Sequence, residues 1–166
     1  MGDDPRLHIP VRELQRRKHV LHARPLLRLE AMAEASQNIS ENISLINDWI
    51  NAVNEKNIEK VVRLSSEDSE IVGPRGSARG RDVLSDWIAR AGIRLQTLRR
   101  FANSKHVAIE QQAAWESPQT EGRQSTALVS THFTIAGVVI SRIARFDSLQ
   151  PALEDASLSE QDEIAQ

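Results

Sequence analysis

Four consecutive stretches decide the fold: IRLQTLRRF (93–101), VAIEQQAAW (107–115), TALVSTHFTI (126–135) and VVISRIARF (138–146). In each stretch apolar residues tend to recur at every second position, which is typical of β-strands that bury one face. The segments between them are short turns at 103–104, 118–122 and 136–137. The four stretches are therefore predicted to pair in order, as an antiparallel meander.

Helical periodicity precedes the strands. A first amphipathic helix, with Ser40 as its N-cap, is predicted from apolar residues spaced alternately by four and three: Ile39, Ile43, Ile46, Ile50 and Val53. A short second helix begins after Asn57, its predicted cap. Residues 70–72 predict a brief strand, and 75–80 a loop. A third helix ends at Gly92 as its C′ residue, and its apolar side comprises Val83, Leu84, Trp87, Ile88 and Ala91.

This order of elements predicts an α+β fold. A curved, mostly antiparallel sheet is expected to wrap around about three helices and to leave a cone-shaped cavity between sheet and helices. Three regions are predicted along the chain. Residues 1–38 form a basic, flexible extension, residues 39–156 form the folded domain, and residues 157–166 form an acidic, disordered tail.

The amino-acid composition excludes several kinds of chemistry. The 166 residues carry a net charge of −2 and include no Cys, so thiolate chemistry, disulfides and thiolate metal sites are excluded. Neither a membrane-spanning apolar run nor a secretory leader is found in the sequence. A cytoplasmic location is expected, without a cofactor.

The head of the chain allows two interpretations. Between Pro5 and Arg28 there are seven Lys or Arg residues and one acid, Glu13. Such a segment can be an arm for nucleic acid or for an acidic lipid surface. A flexible extension is favoured, because the stretch has few apolar residues with which to order itself. A nucleic-acid partner is therefore not expected.

Four segments carry a resemblance to a known family: WINAVNEKNIEKVVRL (49–64), DSEIVGPRG (68–76), GRDVLSDW (80–87) and ISRIARFDSL (140–149). In this order and spacing they resemble the nuclear transport factor 2-like superfamily, which includes ketosteroid-isomerase-like and SnoaL-like domains. The resemblance implies the cone-shaped fold described above. It also implies a homodimer formed through the outer face of the sheet.

The resemblance also locates the family's catalytic positions. Ketosteroid isomerases use an Asp base beside a Tyr and a protonated Asp. These three positions fall on Gly73, Trp49 and Thr131, none of which can exchange a proton near neutral pH. Steroid-type isomerisation is therefore not expected, no catalytic residue is predicted, and whether the protein is an enzyme stays open.

A ligand pocket is predicted from strand parity and from the resemblance. It comprises Trp49, Val53, Gly73, Trp87, Gln111, Thr131, Phe133, Arg142 and Ala144. Arg142 is expected on the cavity side, where it could receive a ligand carboxylate or form a structural pair with Asp86, Asp48 or Glu110. His132 alternates with Thr131 and is expected to face away from the cavity. No spacing of His, Asp and Glu suggests a metal site.

Two functional hypotheses follow. In the first, the protein binds a small apolar or carboxylate-bearing molecule in the cavity, as a SnoaL-like protein without the isomerase residues. In the second, it is a non-catalytic module that forms homodimers or binds proteins through the outer face of the sheet.

Overall fold

A computed structural model describes the backbone of residues 11–116 and 124–165, and the side chains of 25–116 and 125–165. The chain divides into two compact units, Met1–Gln37 and Asn38–Gln166. Helix α1, Val11–Asn54, belongs to the first unit up to Gln37 and to the second from Asn38 onward. The turn predicted at 118–122 lies outside the described residues.

The first helix begins much earlier than predicted. Ser40 is an interior residue of α1 and not its N-cap, and Pro25 also lies inside the helix. Residues 26–37 contain Leu, Met, Ala, Glu and Arg, which are strong helix formers. Their propensity extends the helix toward the N-terminus of the chain although a capping residue was available at Ser40. The predicted flexibility of residues 1–38 stays a prediction.

The two shorter helices match their predictions closely. Helix α2 spans Ile58–Arg63, and the Asn57 side chain caps it by accepting a hydrogen bond from the Lys60 backbone N–H at 3.1 Å. Helix α3 spans Arg81–Ala91 and ends at Gly92, whose φ of 50° is the left-handed conformation that favours glycine.

One mixed, mostly antiparallel sheet is found in the described part of the chain. Its strands are β1 Ser65–Gly73, β2 Gly76–Arg79, β3 Ile93–Ala102, β4 His106–Glu116, β5 Gln124–Ala136, β6 Val139–Phe146 and β7 Glu163–Ile164. Their order is β2-β1-β6-β5-β4-β3-β7, and the sheet is not closed. The predicted meander is confirmed as β3 to β6, and β1 joins it by parallel pairing with β6.

The predicted loop at 75–80 is wrong, because most of it is β2. This strand pairs antiparallel with β1 through a tight turn, in which Gly73 lies opposite Gly76. All four residues of β2 are exposed, so no apolar alternation marks the strand in the sequence. The strand β1 is also longer than the predicted 70–72.

The inner face of the sheet packs against the helices of the second unit. The main core contains Ile46, Trp49, Ile50, Val53, Leu84, Ile88, Leu95, Ile109, Val129, Phe133, Ile140 and Ile143, together with smaller neighbours. A side chain joins α1 to the edge of β3. Asn54 accepts a hydrogen bond from the Leu95 backbone N–H at 2.8 Å and donates one to the Leu95 carbonyl at 2.9 Å. This pair of bonds satisfies backbone groups that β3 would otherwise leave unpaired.

The outer face of the sheet carries a second, smaller core. Helix α4, Leu149–Ala156, packs Leu153 and Ala156 against Phe101 and Ala108. The chain continues through buried Leu158 and a 3-10 helix, Glu160–Asp162, before it adds β7 to the edge of β3.

The prediction of a disordered acidic tail is therefore wrong for residues 157–165. Two of its acids have a specific basic partner, because Arg99 on β3 contacts Glu160 at 2.5 Å and Glu163 at 2.8 Å. These hydrogen bonds lower the pKa of Glu163 below its ordinary value. The three acids of this segment have no basic residue nearby in the sequence, and Arg99, the partner of two of them, lies some 60 residues away in the chain.

Truncation of Leu153 tests whether the outer core contributes to stability. Because this side chain is 1% exposed, Leu153→Ala is expected to lower the free energy of unfolding by about 2–4 kcal/mol. Val138→Ala is the control, since Val138 is 85% exposed and its truncation should cost less than about 0.5 kcal/mol. Urea unfolding followed by circular dichroism measures both. Equal losses would show that α4 is not packed as described.

Candidate functional site

The second unit contains an open cavity of about 340 Å³ between α1, α3 and the inner face of the sheet. Its lining is mostly apolar: Trp49, Ile71, Val72, Gly73, Pro74, Arg75, Gly76, Ser77, Ala78, Trp87, Ile93, Leu95, Val129, Thr131, Ile143 and Arg145. The β1–β2 turn is solvent-exposed and forms part of this lining, so it lies at the mouth. A cavity of this size is within the range of small-molecule sites.

Aromatic rings form one wall of the cavity. Trp49 and Trp87 are stacked, with ring centroids 6.5 Å apart and an angle of 16° between their planes. The Phe133 ring packs edge-on against Trp49, with ring centroids 5.3 Å apart. Such ring pairs are stable arrangements, and they give the cavity a flat apolar surface.

The indole N–H of Trp49 is already engaged. It donates to the Ser65 hydroxyl at 3.3 Å, and this hydroxyl donates to the Val61 carbonyl at 2.8 Å. Trp49 therefore contributes an oriented ring to the cavity, while its only hydrogen-bond donor faces the protein.

A polar pair stands at the back of the cavity. The Thr131 hydroxyl lies 3.0 Å from Gln111 Oε1 and donates to it. Gln111 is completely buried, and its Nε2 group has no hydrogen-bond partner. A buried donor without a partner is costly. The Nε2 group of Gln111 is thus a free hydrogen-bond donor behind the apolar lining of the cavity.

A charged residue of the lining, Arg145, lies beside this pair. It lies directly opposite Thr131 in the β5–β6 register, so both side chains lie on the inner face. Its guanidinium carbon lies 5.1 Å from the ring centroid of Trp115, within cation–π distance. Its Nε–H is shielded from solvent and has no hydrogen-bond partner.

The predicted place of Arg142 on the cavity side is wrong, and a β-bulge explains the error. Thr134 pairs with Arg142 and the next residue, Ile135, pairs with Ile140, so β6 contains one extra residue, Ser141. An extra residue reverses which face the following side chains occupy. Arg142 and Ala144 therefore lie on the outer face, and Arg145 occupies the inner face instead.

On the outer face Arg142 belongs to a network of charged and ionisable groups. Its Nη1 donates to Asp155 of α4 at 2.6 Å, and its Nε lies 3.5 Å from Glu70. Asp155 also accepts from His132 Nδ1 at 2.6 Å. His132 is 2% exposed and faces away from the cavity, as predicted, and its Nε2 lies 2.9 Å from His106 Nδ1. The structural partners predicted for Arg142 were wrong, since they named neither Asp155 nor Glu70.

Burial and hydrogen bonding shift the pKa values in this network. Burial lowers the pKa of His132, and the nearby Asp155 only partly offsets this effect. Burial likewise lowers the pKa of His106. Burial alone would raise the pKa of Asp155, but hydrogen bonds from Arg142 and His132 bring it below its ordinary value. The two histidines are consequently neutral at neutral pH and Asp155 is ionised.

The nine residues predicted for the pocket fall into three groups. Trp49, Gly73, Trp87 and Thr131 line the cavity, and their role in binding stays a prediction. The core residues behind the lining are Val53, Gln111 and Phe133. Arg142 and Ala144 are on the opposite face. Reasoning from the sequence missed Arg145 and the exposed turn at the mouth.

Trp49, Gly73 and Thr131, the three positions on which the resemblance places the isomerases' acid–base residues, line this one cavity. A Cβ atom added at Gly73 would meet nothing within 4 Å, so the space beside this residue is free. The described residues of the lining include no Asp, Glu, His or Lys.

Two other kinds of site were sought in the described residues. No group of three or more His, Asp or Glu side chains there is arranged to hold a metal ion. Within the same residues, every helix is too short or too polar to cross a bilayer.

Comparison with known proteins identifies the fold. No family model matches the sequence, and no curated protein matches it significantly. Solved structures do match. A protein from Xanthomonas campestris pv. campestris, provisionally described as a polyketide cyclase, has 17% identity and a TM-score of 0.60 over 72% of this chain and 97% of its own.

The descriptions of two further matching structures name a small molecule. TerC, co-crystallised with polyporic acid, is 17% identical with a TM-score of 0.59 over 70% of this chain and 97% of its own. A Catenulispora acidiphila protein with a ketosteroid isomerase-like fold, in complex with trimethylamine, is 20% identical with a TM-score of 0.56 over 69% and 93%. Others are described as NTF2-like proteins. The chain therefore has the nuclear transport factor 2-like fold.

Acidification is expected to destabilise the protein through the outer network. The folded pKa values of His106 and His132 are lowered, so below about pH 6.5 the unfolded chain binds protons that the folded chain does not. The stability that neutral histidines contribute is complete above that pH and is lost as the pH falls. The lowered pKa of Asp155 adds a further loss at more acidic pH.

Urea unfolding at pH 7.5 and pH 5.5 measures this dependence. His106→Gln should retain part of the hydrogen bonding and reduce the difference between the two pH values. A parent protein that is equally or more stable at pH 5.5 would contradict the described network.

Proposed function

We propose that the protein binds a small, largely apolar molecule in the cavity between α1, α3 and the sheet. The observation that carries this proposal is the cavity itself, which the protein's own side chains leave unfilled. A well-packed core rarely contains a void larger than one water molecule. An open space of about 340 Å³ with an aromatic wall is therefore better explained as a binding site than as a packing defect.

The described cavity residues support binding more than proton-transfer chemistry. Thr131 and Ser77 offer hydroxyl groups, while Arg75 and Arg145 contribute guanidinium groups, which only donate hydrogen bonds. We therefore propose a binding role in which no cavity residue exchanges a proton with the ligand. The bound ligands named for TerC and for the Catenulispora protein support the use of this fold for small molecules.

Filling the cavity tests the proposal. Val129 lines the cavity and is 2% exposed, so Val129→Phe is expected to occupy space that a ligand needs. Binding of the neutral probe 2-naphthamide, measured by titration calorimetry, should weaken by about tenfold or more. Native mass spectrometry of the purified parent protein would detect any small molecule that co-purifies.

The neighbouring residue provides the control. Leu128→Phe adds a ring on the outer face, where Leu128 is 54% exposed, and should leave probe binding unchanged. Circular dichroism would establish that both variants are folded. Failure of 2-naphthamide to bind the parent protein, or unchanged binding by Val129→Phe, would count against the cavity as a ligand site.

A second proposal concerns the outer face of the sheet, through which we propose that the protein forms a homodimer. Helix α4 covers the part of this face around Phe101, Ala108 and His132. On the uncovered part, Leu128 lies opposite Gln112 in the β4–β5 register and exposes a large apolar side chain. We place the contact with the second copy at this exposed side chain.

Native mass spectrometry of Leu128→Glu tests the dimer. A charge at the centre of an apolar contact is expected to convert a dimeric parent protein to monomers, because the charge would lose its hydration. Gln112→Glu places the same charge on the adjacent strand and should weaken the dimer less, since Gln112 is already polar. A monomeric parent, or a Leu128→Glu dimer as stable as the parent's, would reject this interface.

A further inference from the structure

We propose that the cavity selects ligands that carry a carboxylate group, and that Arg145 binds this group with help from Thr131. The inference rests on the proposed function, since it requires the cavity to accept a small molecule. It goes further by naming the chemical class of the ligand and the residues that recognise it.

The first argument is the state of the Arg145 charge. Four other arginines of the second unit have carboxylate partners: Arg79 with Glu70, Arg81 with Glu67, Arg99 with Glu160 and Glu163, and Arg142 with Asp155 and Glu70. Arg145 differs from the unpaired arginines in that it lines the inner part of the cavity. Among residues 25–116 and 125–165, no acid pairs with Arg145, and its shielded Nε–H lacks any acceptor. Arg145 is half-buried, and a shielded N–H donor is costly while it lacks an acceptor. A bound carboxylate would supply the missing acceptor.

The second argument is the orientation of the guanidinium group. Its carbon lies over the ring of Trp115, 5.1 Å from the ring centroid, so Trp115 covers one side of the group. Of its nitrogen atoms only Nε is buried without a partner, so the terminal N–H groups remain available to a ligand in the cavity. A planar carboxylate matches two parallel N–H donors, whereas a single hydroxyl or amide oxygen does not.

The third argument is the neighbouring pair of Thr131 and Gln111. In the observed arrangement the Thr131 hydroxyl donates to Gln111 Oε1 at 3.0 Å, and Gln111 Nε2 has no partner. Rotation of the Gln111 amide by 180° would let Nε2 donate to Thr131 and release the hydroxyl hydrogen toward the cavity. Because Thr131 lies directly opposite Arg145, one carboxylate could then accept from both residues.

The remainder of the cavity defines the rest of the ligand. Trp49, Trp87, Ile93, Leu95, Val129 and Ile143 present apolar surface. The described lining offers no acid that could pair with a ligand cation. The structure therefore favours a flat or compact apolar body with a single carboxylate, and it disfavours a cationic ligand.

Three probes with the same aromatic body but different charges test this inference: 2-naphthoate, neutral 2-naphthamide and cationic 2-naphthylmethylammonium. Titration calorimetry with the full-length protein at pH 7.5 is expected to show about tenfold or tighter binding of naphthoate than of naphthamide. The ammonium probe should bind most weakly. In Arg145→Met the preference for naphthoate should disappear while naphthamide binding stays within about threefold of the parent value.

Matched variants separate a direct contact from a general effect of charge. Arg142→Met removes an arginine three positions away on the same strand but on the opposite face, and it should keep the preference. Arg75→Met removes a solvent-exposed arginine at the mouth of the cavity, where water and salt screen the charge, and should reduce it less than Arg145→Met. Arg145→Lys keeps the charge without the planar fork and should retain only part of the preference. Thr131→Val should reduce it by a few fold.

The outcomes distinguish the two proposals. Equal affinity of the parent protein for naphthoate and naphthamide would overturn the carboxylate inference and leave the proposed function intact. The same holds if Arg142→Met or Arg75→Met removes the preference as completely as Arg145→Met. Failure of all three probes to bind the folded parent would contradict the proposed function together with the inference. If Arg145→Met does not fold, the Arg145→Lys and Thr131→Val results decide the matter in the same way.

Discussion

The alternation of side chains along β5 and β6 is the constraint on which the rest of the second unit depends. Successive residues of a strand point to opposite faces, so Thr131 and His132 contribute to different layers although they are adjacent in sequence. Thr131 faces the cavity beside the helices, whereas His132 lies under α4 and contacts Asp155. One pair of strands thereby supports both a binding cavity and the attachment of the C-terminal helix.

The single extra residue at Ser141 changes the chemistry of both faces. Without this bulge, a regular alternation from Ile140 would place Arg142 and Ala144 in the cavity. With it, Arg142 joins Asp155 and Glu70 on the outer face, and Arg145 reaches the inner face beside Thr131. The two arginines have similar surroundings in the sequence, but one is neutralised by acids and the other has no acid partner in the described part of the chain. Because of this difference, we propose Arg145, and not Arg142, as the arginine that binds a ligand.

The outer face is organised around fixed electrostatic pairs, while the cavity is organised around apolar surface. On the outer face, Arg99 holds the C-terminal segment through Glu160 and Glu163, and the network around Asp155 holds α4. Ion pairs at partly exposed positions contribute modestly to stability, but they fix orientation. In the cavity, by contrast, Trp49 and Trp87 present apolar ring surfaces. Thr131 and Arg145 supply polar groups beside them. Trp49, Gly73 and Thr131, the positions on which the resemblance places the isomerases' acid–base residues, lie in this apolar space.

The sequence by itself determined the helices α2 and α3 with their caps, the meander β3 to β6 and the face assignment of His132, because these depend on local periodicity and on local hydrogen bonds. It also indicated Trp49, Gly73, Trp87 and Thr131 as neighbours, through a resemblance that the fold supports. Even α4 had a local signal, the spacing of Leu149, Ala152, Leu153 and Ala156. Only the tertiary structure decided where the acidic tail lies, since its partner Arg99 is remote in the chain. It alone also decided which arginine faces the cavity, because the position of a β-bulge is set by the pairing of two strands.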